Sequence, residues 1–226
     1  MATTSIKQVY SFAVIATDVV IFTVREGELQ VLLIQMKKAP YVGRWAIPGG
    51  LVKPKESVDA AARRHLAEKT GVSDVYLEQL YTFGRVDRDP YGRVVSVAYL
   101  ALIPSDNVRL KTTARYGDVR WFPAKGLPKL AYDHREMLTV AVDRLRSKLE
   151  YSNIVYSLLP REFTLAELQR TYEIILGRGL DKRNFRKKLF SLNLVQKVNK
   201  RQSGVAYRPA ELYRFVSRTV QVVSVL

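Results

Sequence analysis

The stretch "GLVKPKESVDAAARRHLAEKTGV", residues 50–72, is built on fixed spacings: Gly50, Glu56, Arg64, then a closing Gly71–Val72 pair. Its middle reads as one helix, Ser57–Thr70. Val58, Ala61, Ala62 and Leu66 fall on one face at offsets of three, four and eight, and Gly71 stands where a helix C-cap glycine belongs. Positions 65, 68 and 69 are three or four apart and share a face. There the chain places an imidazole, one carboxylate and an ammonium: His65, Glu68 and Lys69. A hard dication wants several oxygen ligands. Imidazole is a poor magnesium ligand and an ammonium repels the ion, so Glu68 is a weak metal candidate at best.

Working outward, strands dominate the first part. "YSFAVIATDVVIFTV" (Tyr10–Val24) is β-branched and apolar, and "GELQVLLIQM" (Gly27–Met36) reads as its hairpin partner across a Glu-Gly turn. "RWAIPGGLV" (Arg44–Val52) is expected as one short strand running into a Gly-Gly turn. "DVYLEQLYTFGRV" and "RVVSVAYLALI" are two strands around the polar turn Asp87–Gly92, and "DVRWFP" (Asp118–Pro123) is a last short strand.

At Asp133 the period changes to helical. Met137, Leu138, Ala141, Leu145 and Leu149 mark a helix over Asp133–Glu150 that joins two parts. Beyond Pro160, Thr164 and Glu167 form a capping box, opening a helix with Leu165, Leu168, Tyr172 and Ile175 inside. Gly177–Gly179 ends it. Asp181 caps a second helix from Lys182 to about Asn193, and Leu194–Pro209 reads as two short strands around a basic loop. Helix, tight turn, helix and hairpin is the order of a winged helix-turn-helix.

The charge distribution agrees with two parts. The net charge is +16, and residues 151–226 carry 14 basic and 5 acidic side chains against 23 and 16 in residues 1–150. A field of this sign attracts polyanions, and its concentration at the C-terminal end marks a specialised basic module. In the second helix Phe185, Leu189 and Leu192 make a core stripe, and Lys182, Arg183, Arg186 and Lys187 lie elsewhere, with Asn184 near the start. Lysine and arginine neutralise phosphates, and arginine and asparagine also read base edges. Thr164 ahead of the first helix, and Lys197, Lys200 and Arg201 on the wing, complete the candidate DNA-binding set. There is no cysteine, no apolar run of membrane-spanning length and no secretory pattern at the N-terminus, so a cytoplasmic chain with no membrane contact is expected.

The spacings of residues 50–72 resemble the Nudix box, G-x5-E-x7-R-E-U-x-E-E-x-G-U, where U is a bulky apolar residue. Gly50, Glu56, Arg64, Leu66, Glu68, Gly71 and Val72 match it; His65 and Lys69 depart from it. The resemblance implies an α/β Nudix sandwich over roughly residues 8–130. Active relatives hold Mg²⁺ or Mn²⁺ against a pyrophosphate with the acids of this helix. Glu56 and Arg64 support the box in that family and do not replace the lost acids. The expected state is therefore a pocket kept and catalysis mostly lost. The alternative is an active nucleoside-diphosphate hydrolase that recruits Glu78, Asp87 or Asp89, with Mg²⁺ needed only in that case. In such a pocket Trp45 and Phe83 suit base stacking. Arg44, Arg85, Arg88 and Arg93 suit phosphate oxygens, although solvated loop arginines fit the same pattern. Gly49, Gly50, Glu68 and His134 complete the set, and His134 equally suits a cap on the joining helix.

A Nudix-like domain (1–132), a linker helix (133–150) and a winged helix-turn-helix (151–226) together resemble the Nudix-related transcriptional regulators of NAD metabolism. The resemblance runs through "WAIPGG", "FGRVDRDPYGR", "SVAYLAL", "YDH" and "NFRKKL". It implies a homodimeric repressor on a palindromic operator, with ADP-ribose or a related NAD-derived nucleotide as effector and no required cofactor. A related branch of the same architecture regulates sugar utilisation.

Overall fold

The structure, a computed structural model, describes residues 12–71, 75–105, 110, 116–201 and 209–226, without the side chains of residues 199–201. Val72 of the box therefore lies outside the described residues. So do the side chains of Lys200 and Arg201 and the tip of the expected basic wing.

Two-residue periodicity sorts the strands' side chains onto two faces, and that sorting builds the first domain. Strands β1 (Val14–Arg25) and β2 (Glu28–Met36) form the expected hairpin. Its turn, Glu26–Gly27, has φ of 54° and 78°, the two consecutive positive values that a tight hairpin turn prefers. Strand β3 (Trp45–Ala46) lies on β2, and β4 (Gly49–Leu51) lies on β1. The single strand expected over residues 44–52 is thus split at Ile47–Pro48. The backbone there turns its hydrogen bonds elsewhere: Ile47 N–H donates to His134 Nδ1 at 2.9 Å, and Pro48 O accepts from Val19 N–H at 2.8 Å. Strands β5 (Tyr76–Phe83), β6 (Val94–Leu102) and β7 (Tyr116–Pro123) complete a mixed seven-stranded sheet in which β1 and β6 run parallel.

Odd residues of β1, such as Val19 and Ile21, pack with Ala62 and Leu66 of helix α1 (Val58–Thr70). Even residues, such as Val20 and Phe22, pack with Met137, Leu138, Ala141 and Leu145 of helix α2 (His134–Tyr151). The result is an α/β/α sandwich. Helix α1 is bounded as its sequence requires: Ser57 Oγ accepts from Ala60 N–H, and Gly71 closes the helix at φ 70°.

Helix α2 is more than a link between two parts. Its apolar stripe ends in Leu145 and Leu149, and these continue into one cluster with Ile154, Leu158, Leu168, Tyr172 and Phe185. A single core therefore runs from the sheet into the C-terminal half. That half comprises a short 3-10 helix (Ile154–Leu158), α3 (Leu165–Leu176), α4 (Lys182–Ser191) and the hairpin β8 (Val195–Arg201) with β9 (Glu211–Phe215). The returning strand lies beyond Pro209, later than the sequence suggested, because Phe163 bridges Tyr213 and fixes β9 there as the centre of a small sheet. The chain's last residues turn back along the end of α2, with Val223 N–H donating to Tyr151 O at 2.8 Å.

Candidate nucleotide pocket and nucleic-acid interface

The box helix holds its residues in a different way from its sequence pattern. Arg64 donates to Glu56 through Nε and Nη2, both at 2.8 Å, and Lys53 N–H adds a third bond at 3.2 Å. These donors, Arg64 first, hold the Glu56 carboxyl down at about 2, so it stays ionised and committed. His65 is 4% exposed and lies beneath Gly50, where a Cβ would come within 3.0 Å of the ring. Burial, then the Arg64 charge, pushes its pKa below the ordinary value, so the ring is neutral. Lys69 is 2% exposed, with its ammonium 4.0 Å above the Tyr116 ring. It therefore does not stand at the mouth of a metal site, as its place on the helical face suggested. Glu68 remains half-exposed, 3.4 Å from Arg64 Nη1.

This donor set fits a divalent ion poorly, and no convergence of three metal-binding side chains occurs among the described residues. The acids considered as recruits are engaged elsewhere. Glu78 pairs with Lys148 at 2.6 Å on the α2 side, Asp87 pairs with Arg85 at 2.8 Å, and Asp89 Oδ1 accepts from Tyr91 N–H at 2.9 Å.

A buried polar network that no spacing in the sequence announces lies where β1, β6 and the head of α2 meet. Arg88 donates two bonds to Asp133, at 2.9 and 2.8 Å, and stands 3.6 Å from Asp18. Ser96 Oγ donates to Asp18 at 2.6 Å, and His134 Nε2 lies 3.7 Å from the same carboxylate. With Nδ1 accepting from Ile47 N–H, the proton of neutral His134 sits on Nε2 and faces Asp18. Burial is the main reason that its pKa falls. Gly49 is glycine because a Cβ there would overlap the Asp18 carboxylate.

Two expectations change accordingly. Arg88, 4% exposed, is spent on Asp133 and is not free for a phosphate. Phe83, also 4% exposed, belongs to the α2-side core and offers no open face for a base. His134 belongs to this network as well as being the first residue of α2.

Arg44, Trp45, Arg85 and Arg93 lie outside this hydrogen-bonded network. Arg85 and Arg93 are exposed on the loop after β5, where Arg93 Nη1 donates to Gly84 O at 2.7 Å and so shapes the loop. Arg44 is exposed and reaches over the Tyr41 ring, and Trp45 meets Phe122 edge to face. Tyr41 in turn packs on Tyr132, ring centroids 4.5 Å apart. Tyr132 carries a φ of 52°, which is uncommon for a residue with a side chain. This aromatic wall had no periodic signal in the sequence. The "YDH" run, three chemically distinct side chains just before a helix, was the only hint of it.

In the C-terminal half Phe185 and Leu189 point inward, and Lys182, Arg183, Asn184 and Lys187 are exposed. Four of the five cations of α4 form two stripes, Lys188 lying apart near its end. Lys182 and Arg186 face a groove against α3, while Arg183 and Lys187 do not line it. Lys197 crosses the hairpin to Glu211 at 2.5 Å. The Thr164 hydroxyl accepts from Glu167 N–H at 3.1 Å and so caps α3, and at 5% exposure the residue presents little of itself to the surface.

Known proteins share this layout. Residues 14–140 match the family described as NUDIX domain, and residues 155–215 match NrtR DNA-binding winged helix domain. The chain is 40% identical over 214 residues to the ADPR responsive transcriptional repressor NtrR of Acinetobacter baylyi, spanning 92% of this chain and 84% of that protein. The crystal structure of Shewanella oneidensis NrtR complexed with a 27mer DNA superposes with a TM-score of 0.79 at 35% identity, covering 89% of this chain and 93% of that one. The NUDIX domain of the same protein complexed with ADP ribose gives 0.54 at 36% identity, covering 60% of this chain and 90% of that one. With a Nudix sandwich and an NrtR winged helix joined in one chain, and this similarity running through both, the protein belongs to the NrtR family of Nudix-related transcriptional regulators.

Proposed function

We propose that this chain is a transcriptional repressor that reads a palindromic operator as a homodimer and releases it when ADP-ribose, or a related NAD-derived nucleotide, occupies the Nudix domain. One observation carries the reading: a box helix whose departures from the acid pattern are buried shares a chain and a core with a helix that turns its cations outward. The named relatives support it, one being an ADP-ribose-responsive repressor and another a structure on DNA.

The reading assigns roles in the two halves. Arg183, Asn184 and Lys187 face the major groove, and Lys197, Lys200 and Arg201 follow the backbone with the wing. Arg44, Trp45, Arg85 and Arg93 surround the nucleotide, above the floor made by Asp18, Arg88 and His134. Magnesium enters only with residual hydrolysis, for which Glu68 is the box acid left facing outward. Val14 and Ile15 at the start of β1, Leu51 of β4 and Phe12 just ahead of them are exposed, an apolar patch suited to a second copy.

Ligand shifts the DNA equilibrium only if it prefers one arrangement of the two halves. The loop after β5 is tied by Arg88 to Asp133 at the head of α2, and the far end of α2 is embedded in the winged half. A tilt of α2 would displace two reading helices that must stand roughly 34 Å apart, or a multiple of that, on B-DNA. Operator fragments selected from genomic DNA, titrated with ADP-ribose in a gel shift, test the proposal. Release is expected, and undiminished binding at saturating ligand would overturn it. Fast Mg²⁺-dependent hydrolysis of the pyrophosphate link of ADP-ribose, giving AMP and ribose 5-phosphate, would instead favour the hydrolase reading.

A further inference from the structure

The groove between α3 and α4 is lined by Arg170 and Arg178 from the first helix and turn and by Lys182 and Arg186 from the reading helix, and it is open over about 660 Å³. Arg170 and Arg178 had no place in the set read from the sequence. One carboxylate, Glu173, enters the groove, and it is already engaged: its Oε1 accepts from Leu180 N–H and from Gln169 Nε2, each at 2.9 Å. Those donors keep it ionised, its pKa lowered chiefly by the Leu180 backbone bond. Four cations therefore face one anion whose hydrogen bonds serve the α3–α4 turn. A cluster of like charges favours a bound polyanion, and the duplex whose groove the reading helix enters is one.

We infer that this groove seats a backbone phosphate of the operator, outside the major-groove face of α4, and that Arg170 and Arg178 are DNA-contacting residues. The inference rests on the repressor reading and extends it. Lys182 and Arg186 on one stripe of α4 serve the backbone, while Arg183 and Lys187 on the other remain for base edges and their flanking phosphates.

A separate observation ties Arg170 to sensing. Its guanidinium lies against the β1–β2 turn, where a Cβ on Gly27 would be 3.1 Å from Nη2. Nearby, Arg146 Nε of α2 donates to Ile175 O of α3 at 3.0 Å. One wall of the phosphate seat is thus held by the nucleotide-binding half, and movement of that half alters the seat.

The test uses the full chain with Arg170→Gln, Arg178→Gln and, as a control, Lys55→Gln, binding a selected operator duplex by fluorescence anisotropy over a salt series. Each groove variant is expected to lower the slope of log affinity against log salt by about 1, equally for good and degraded operators, because the lost contact carries no base information. The control keeps the full slope. Arg170→Gln alone is also expected to change the ADP-ribose concentration needed for release, by about 2- to 30-fold. Groove variants that melt like the unaltered chain and keep its slope would overturn the phosphate seat. An unchanged ADP-ribose response in Arg170→Gln would overturn its link to sensing. Failure of the unaltered chain to bind any duplex would strike the repressor reading itself, a result distinct from either.

Discussion

Helices α1 and α4 both carry basic residues in unexpected numbers, and the fold treats them in opposite ways. In α1, His65 and Lys69 are 4% and 2% exposed, drawn inside beside Ala62 and Leu66. In α4, Phe185 and Leu189 take the inside, and the cations are left facing out or into a groove. Residue type did not decide this; the position of each cation relative to the apolar stripe did. In α1 the residues that depart from the acid pattern flank the stripe and become part of the packing. Lys69 finds the π face of Tyr116 there, and His65 is neutral under Gly50. The box helix thus takes one cation, Lys69, and a neutral imidazole into its low-dielectric interior, where they are structural, and the reading helix keeps its cations where a polyanion can reach them.

The sharpest way to break this comparison is to unpair a charge on the sensing side. Arg88 and Asp133 have side chains only 3% and 2% exposed and are joined by two hydrogen bonds. Arg88→Ala leaves Asp133 and Asp18 buried without their cation, and is expected to cost about 3–5 kcal/mol. Because the core is continuous from the sheet through α2 to α4, both halves should melt in one transition. Replacing both partners, Arg88→Met with Asp133→Leu, should recover much of the loss. Two separated transitions in thermal melting of the single variant would show the halves to be independent, and with them the proposed route through α2.

Acidification is the next largest probe, and it acts on one half. The two histidines of the chain, His65 and His134, both lie in the Nudix part. Burial lowers both below the ordinary 6.5, so near that pH the unfolded chain binds protons that the folded chain refuses. The stability this represents is complete above about 6.5 and is lost as pH falls through it, by up to about 1.4 kcal/mol per pH unit for each histidine. Asp18, Asp133 and Asp89 facing His134, and Glu68 and Asp18 facing His65, soften the loss, while Arg88 and Arg64 sharpen it. Glu56 adds a separate, lower window: its support persists above the ordinary 4.5 and disappears as pH falls toward about 2. Denaturant midpoints between pH 8 and 5.5, compared with those of His65→Leu, read out one histidine's share. Identical slopes would mean that His65 protonates as readily in the folded chain as in the unfolded one.

Much of the fold was legible because it is written locally. The hairpin turn, the α1 boundaries, the capping box of α3 and the Asp181 cap of α4 each need only residues within a few positions. What escaped the sequence reading is long-range. Asp18, Ser96, Arg88 and Asp133 come from separate elements, and no spacing along the chain announces that they meet. Phe83 looks like a stacking residue beside a glycine, yet a register shift in β5 after Gln79 breaks the alternation and puts Phe83 with Leu80 in the α2-side core. The wing was misplaced because Pro209 seemed to end the hairpin, whereas the pairing of Phe163 with Tyr213, fifty residues apart, sets where the return strand lies. The same limit explains Arg170 and Arg178: neither belongs to a periodic basic face, and only the approach of α3 to α4 gathers them with Lys182 and Arg186.

The smallest effect separates structure from recognition at one residue. Thr164 was grouped with the DNA contacts, but its hydroxyl accepts from Glu167 N–H at 3.1 Å while Glu167 Oε2 accepts from Thr164 N–H at 2.7 Å. Two of the free amides at the head of α3 are satisfied by this exchange, and with Thr164 5% exposed its hydroxyl is poorly placed to reach a phosphate. Thr164→Ala should therefore cost about 1 kcal/mol of stability, while Thr164→Ser, which keeps the oxygen, should cost less. Measured well below the melting transition, operator affinity of both variants should equal that of the unaltered chain. A loss of affinity in Thr164→Ala without a matching loss of stability would return the residue to the interface, and α3 would then touch the operator at its head as well as through Arg170.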